Sequence, residues 1–204
     1  MSTFLGAQFA YRLGQAKDED AERSRKIASL NRALLVLLAQ YNEIRTTMIE
    51  FEKYPNDLFC VFNMAAVLPI ESFGLVQKID DLDFILKTRQ RNILLELHTE
   101  QLRFDQVLVT IRIRAEHAIR ELHPEMSRLR LRDVYVNEAI LRESLGEYMF
   151  ETAVNLTSSM RRHAAASDKS LPEMMEKLKA FSEQLFPGEK FIGHALVNAP
   201  ESNP

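Results

Sequence analysis

A chain of 204 residues with a net charge of −3, 46% hydrophobic and 27% charged, has the makeup of one globular domain with tails. The near-neutral balance supplies no global field to recruit nucleic acid or an anionic membrane. The single cysteine, Cys60, excludes an internal disulfide, and no apolar run approaches the roughly 20 residues that a transmembrane helix needs.

Gly (6) and Pro (7) are scarce and Trp is absent, while Leu, Ala, Glu, Arg and Met, all good helix formers, are abundant. The composition therefore predicts an all-α protein. The N-terminal stretch MSTFLGAQFAYRLGQ has neither a basic leader nor a cleavage site, so it does not read as a signal peptide. Phe4, Leu5, Phe9 and Tyr11 form a small apolar block, followed by the charged run Lys17-Asp18-Glu19-Asp20. The block reads as a docking arm. Its alternatives are an interfacial anchor, with Phe9 and Tyr11 at the headgroup boundary, or the end of a longer membrane helix.

Residues 17–25 extend the next element as solvated helical turns. That element, 24–53, is predicted to be the central helix. Ile27, Leu30, Leu34, Leu37, Tyr41, Ile44 and Met48 follow helical spacing, and a second line runs through Leu35, Leu38, Asn42 and Ile49. A helix apolar on two stripes must be covered on more than one side. It ends near Tyr54-Pro55-Asn56-Asp57.

Leu58–Leu68 predicts a short buried helix, with Cys60 as a small buried hydrophobe lacking a neighbouring cation to activate it. After Pro69, Glu71–Lys87 shows helical apolar spacing. Asp80, Asp81 and Asp83 sit there without the Gly and closing Glu of a calcium loop, and read as a solvated face. Asn92 caps a second long helix, Ile93–Leu122, which His123-Pro124 ends. Met126–Val136 reads as a crossover carrying Arg128, Arg130 and Arg132. Asn137–Ala166 is the third long helix and 164–169 a polar link. Ser170-Leu171-Pro172-Glu173 starts a last helix that stops at Pro187-Gly188.

The expected architecture is a bundle of about four to five helices, three of them long, around helix 24–53. It is flanked by an arm and charged stretch (1–23) and a tail (187–204), with the bundle itself spanning 24–186. Chemistry-bearing motifs are missing. No histidine among His98, His117, His123, His163 and His194 lies four residues from another, and none has an acid three residues before it. Glu96, His98 and Glu100 are two apart and splay on a helix. No Gly-rich phosphate loop, Gly-x-Ser-x-Gly or Cys-x-x-Cys occurs. No catalytic, cofactor or metal residue is named.

SLNRALLVLLAQYNEIR and ESFGLVQKIDDLDFILKTRQRNILLELHTEQLRFDQVL resemble a group of uncharacterised bacterial helical proteins with a short N-terminal membrane segment. The resemblance covers roughly the first half of the chain and carries no activity. It implies that Phe4–Leu13 would be the end of a membrane helix. The combined expectation is a non-enzymatic interaction or scaffold protein, cytoplasmic or held at the inner face of the inner membrane. It would meet a protein partner, a second copy of itself through coiled-coil-like stripes, or the membrane surface. The alternative is an anion- or nucleic-acid-binding regulator using Arg128, Arg130 and Arg132, with Arg112 and Arg114, for which steep salt dependence is expected.

Overall fold

The computed structural model describes residues 2–68, 75–131 and 137–193, with side chains from residue 11 onward. Every regular element among these residues is helical. Helix α1 spans Ser2–Glu52, so the arm and the charged stretch continue the bundle helix without a break. Leu30, Leu34, Leu37, Ile44 and Phe51 are buried at helical spacing. The second expected stripe is only partly covered: Leu38 packs against the core, whereas Leu35 and Ile49 stay about half-exposed and Asn42 is exposed.

Helix α2, Asp57–Asn63, begins where Asn56 accepts a hydrogen bond from the Phe59 N–H (2.8 Å). It stops five residues short of Leu68, because Met64 leaves the helical region (ψ 127°) and 65–68 are not helical. The helix expected over Glu71–Lys87 is also shorter. Residues 69–74 lie outside the described residues, 75–78 are not helical, and Ile79–Lys87 forms a 3-10 helix. Leu82 and Ile85 are buried and Ile79 partly so, a spacing of three that matches three residues per turn.

Helix α3, Asn92–His117, buries Ile93, Leu97, Phe104, Val107 and Ile111; Asn92 is its first helical residue and not its cap, a position held by Arg91 with no side-chain cap hydrogen bond. His123-Pro124 does not end it. A π-helical turn, Ala118–Leu122, leads directly into helix α4, His123–Arg128. The His123 N–H bonds the Ala118 carbonyl, one residue further back than in an α-helix. That wider turn sits immediately before the residue that has no N–H, and Pro124 falls in the first turn of α4, where a missing donor is tolerated. Of the expected crossover, 132–136 lie outside the described residues, as do 1, 194–204 and the side chains of Phe4, Leu5 and Phe9.

The third long helix is divided differently from the sequence expectation. Helix α5, Glu138–Leu145, is capped by Asn137, whose Oδ1 accepts from the Ile140 N–H (2.9 Å). Gly146 (φ 78°, ψ 152°) then breaks the chain, and helix α6 runs from Glu147 to Leu185 through both the supposed link and Pro172. Phe150, Ala153, Thr157, Met160, Ala164, Ser167, Leu171, Met174 and Leu178 are buried at steps of three and four, so the helical stripe never lapses. Tertiary packing of that stripe overrides the start signal at Ser170. The Ser170 hydroxyl instead donates to Glu100 Oε2 (2.6 Å) on α3.

The result is an all-α bundle with three long helices. Helix α6 packs along both α1 and α3, so the 24–52 stretch forms one wall of the core and α6 its shared neighbour. The larger core joins Leu34, Leu37, Leu97, Phe104, Leu171 and Leu178. A smaller one gathers Val61, Phe62, Leu122, Met126, Leu141 and Phe150, with the Phe62 and Phe150 rings 5.4 Å apart.

Candidate functional site

On α3, the buried spacing Phe104, Val107, Ile111 continues to residue 114, which is an arginine. Arg114 is 4% exposed. Its Nη2 donates to the Met64 carbonyl (2.8 Å), its Nη1 to the Ala65 carbonyl (3.0 Å) and its Nε to Thr157 Oγ1 (3.4 Å). These bonds hold the chain just beyond α2 against α3 and α6. No carboxylate stands within ion-pair distance of Arg114 among the described residues. Burial pulls its pKa below the usual arginine value. A cleft of about 230 Å³ opens beside it, walled by Thr46 and Thr47 of α1, Met64, Val67 and Leu68, and Ile111 of α3. Glu43 and Glu50 also line it. Val67 and Leu68 stand more than half in water.

The second feature is the N-terminal half of α1. Every residue from 11 to 25 is exposed, with Tyr11 at 73%. Ties to the bundle occur at the base of this stretch. Arg23 bonds Glu189 (2.7 Å) and lies over the Phe186 ring, and Lys26 lies over Phe84. Between this base and the 3-10 helix, Asp18, Glu22, Asp80, Asp81 and Asp83 share a cleft of about 460 Å³ with Arg25 and Lys26. Asp81 pairs with Arg32 (2.9 Å). Lys26 beside Glu22 holds that carboxyl below the usual glutamate range. No group of three His, Cys, Asp or Glu side chains among the described residues is placed to hold a metal ion.

The arginines offered as anion-binding candidates stand in different surroundings where they are described. Arg114 is a core residue, Arg112 is exposed, and Arg132 lies outside the described residues. Arg128 forks onto Glu125 (2.8 and 2.5 Å), which raises the arginine pKa and lowers that of the glutamate. Arg130 is exposed and takes a left-handed backbone conformation (φ 57°). Cys60 is buried, and burial pushes its thiol pKa up to about 11. Glu96, His98 and Glu100 diverge: Glu96 pairs with Lys177, His98 is exposed, and Glu100 is buried between Arg103 (2.5 Å) and Ser170. His117 is buried with Nδ1 3.5 Å from Glu121.

Sequence reasoning missed a cluster of buried amides. Gln40 Nε2 donates to Gln101 Oε1 (2.8 Å) and to the Leu75 carbonyl (2.6 Å). Gln101 Oε1 also accepts from the Gln77 backbone N–H (2.9 Å), and Gln77 Nε2 donates to the Ala33 carbonyl (3.1 Å). A signal existed: Gln40 and Gln101 interrupt buried helical stripes at Leu37/Ile44 and Leu97/Phe104. No family model matches the chain, and neither curated proteins nor solved structures offer a significant match to it.

Proposed function

We propose that this chain is a non-enzymatic helical interaction or scaffold protein that docks through the N-terminal half of α1, with the inner face of a bacterial inner membrane as its contact surface. The observation that carries this is the exposure of every residue from 11 to 25 on a helix continuous with the bundle. From residue 2 to residue 25 such a helix measures about 35 Å at 1.5 Å per residue. An isolated helix holds its shape poorly in water and gains stability when one face is covered. Its first thirteen residues contain Phe4, Leu5, Phe9, Tyr11 and Leu13, side chains suited to the headgroup boundary. The acids at 18–20 favour keeping the following turns in water. No helix among the described residues is long and apolar enough to cross a membrane.

A second copy is the partner favoured by α3. Leu95, Leu102 and Val109 repeat every seven residues, and with Ile113 they stay about half-exposed on one face. Light scattering of the purified chain tests this arm of the reading; a Leu102→Glu variant would convert a dimer to monomer.

The membrane arm is tested by fractionating cells that express the chain or a variant lacking residues 1–16, with a high-salt wash. Retention of the full chain in the membrane pellet and release of the deletion supports the docking arm. Release of both overturns it, and retention of both moves the contact to the bundle.

A further inference from the structure

We propose that the cleft beside Arg114 is a binding site for an amphipathic monocarboxylate, with its head at the guanidinium and its apolar tail along Ile111, Met64, Val67 and Leu68. A guanidinium carries five N–H donors in a fixed fork. Three are directed at Met64 O, Ala65 O and Thr157 Oγ1, which leaves one N–H on each terminal nitrogen without a partner among the described residues. These three partners are neutral. The charge is therefore desolvated with no carboxylate at ion-pair distance among the described residues, an arrangement that burial makes expensive. A carboxylate at the unused fork would offset that cost, because charge-assisted pairs to arginine are roughly twice as strong as neutral hydrogen bonds.

The walls define the rest of the ligand. A volume of about 230 Å³ corresponds to about eight waters at roughly 30 Å³ each. That admits a short aliphatic chain. Val67 and Leu68 at the mouth are more than half in water, and a tail lying on them would remove apolar surface on both sides. Glu43 and Glu50 line the α1 side. They oppose any anion, and a doubly charged head most, so a monoanion is favoured over a phosphate ester or dicarboxylate.

The experiment is a calorimetric titration of the full chain with sodium octanoate, with 1-octanol and octyl phosphate as comparisons. Saturable one-site binding of octanoate is expected, about tenfold or more tighter than either comparison, a difference of roughly 1.4 kcal/mol. Arg114→Gln should abolish that preference. Because Arg114 also holds the 64–65 backbone, Val67→Glu serves as a variant at an exposed position that leaves the tether intact. It should weaken octanoate about fivefold or more, through like-charge repulsion at the mouth. Equal binding of octanol and octanoate, no saturable octanoate binding, or unchanged affinity in Val67→Glu would each overturn the proposal. Glu71 follows Leu68 closely in sequence, so Glu71→Gln is titrated alongside. Octanoate binding that appears only in Glu71→Gln would assign the site to a carboxylate of the chain itself and overturn the proposal as well.

Discussion

Gln101 Oε1 accepts two hydrogen bonds at once, from Gln40 Nε2 at 2.8 Å and from the Gln77 backbone N–H at 2.9 Å. The first crosses from α1 to α3, and the second fixes the non-helical chain at 75–78 between them. One carbonyl oxygen thus joins three segments that are far apart in sequence. Gln101→Leu would leave the Gln77 N–H without a partner and take one of two acceptors from Gln40. Orphaned buried donors cost about 1–3 kcal/mol each, so a loss of about 2–3 kcal/mol is expected in urea unfolding. A change within about 0.5 kcal/mol, the usual range of a surface substitution, would mean that the amide cluster contributes nothing net.

Gly146 lies between α5 and α6 at φ 78° and ψ 152°, with open space where a Cβ would sit. The penalty for any other residue there is therefore one of backbone conformation alone. Gly146→Ala should destabilise the protein by about 1–3 kcal/mol, read as a lower Tm. An unchanged Tm would show that the break between α5 and α6 tolerates an ordinary conformation.

Pro172 sits inside the 39-residue α6, where it supplies no N–H to the carbonyl of Asp168. Pro172→Ala restores that donor and a residue of high helix propensity. Stability should rise, by up to about 3 kcal/mol. A lower Tm would mean that the packing of Leu171 and Met174 depends on proline at this position.

The Cys60 thiol keeps its proton in the folded state up to about pH 11, well above the ordinary thiol value. The unfolded chain gives up that proton first as pH rises. The associated stability is therefore fully present below the ordinary thiol pKa and is lost as pH climbs through that value toward about 11. The loss should be about 3 kcal/mol and absent from Cys60→Ala, measured as the difference in urea midpoint between the two proteins across that window. Parallel pH profiles would contradict it. At neutral pH the buried thiol should also react with iodoacetamide only as fast as the protein opens.

Residues 11–22 of α1 are exposed, and the ties to the bundle are made further along, at Arg23 and Lys26. Removing residues 1–16 should leave the unfolding midpoint of the bundle unchanged within about 0.5 kcal/mol. A larger loss would show that the arm packs on the bundle in solution and is not free to dock elsewhere.

Local chemistry determined much of this protein from sequence alone. Apolar residues at steps of three and four specified helices over most of the chain. Tyr54-Pro55 ended α1, a helix began at Asn137, and Pro187-Gly188 closed α6, each because the determining groups lie within a few residues of one another. Tertiary structure decided what depends on distant partners. Arg114 became a core residue because the carbonyl of Met64, 50 residues away, accepts a hydrogen bond from it, and Gln101 holds Gln40 across 61 residues. The same reason explains the helical misreadings. Ser170 looked like a cap, but Glu100, 70 residues earlier, takes its hydroxyl, and the buried stripe through Ala164, Ser167 and Leu171 carries α6 straight through. Propensity at a single position is worth a fraction of a kcal/mol to about 1 kcal/mol. Burial of a whole apolar side chain is worth roughly 1.5–3 kcal/mol, so packing prevails wherever the two disagree. The cleft beside Arg114 exists only because α1, α3, α6 and the chain after α2 converge on one guanidinium, and no local pattern encodes that convergence.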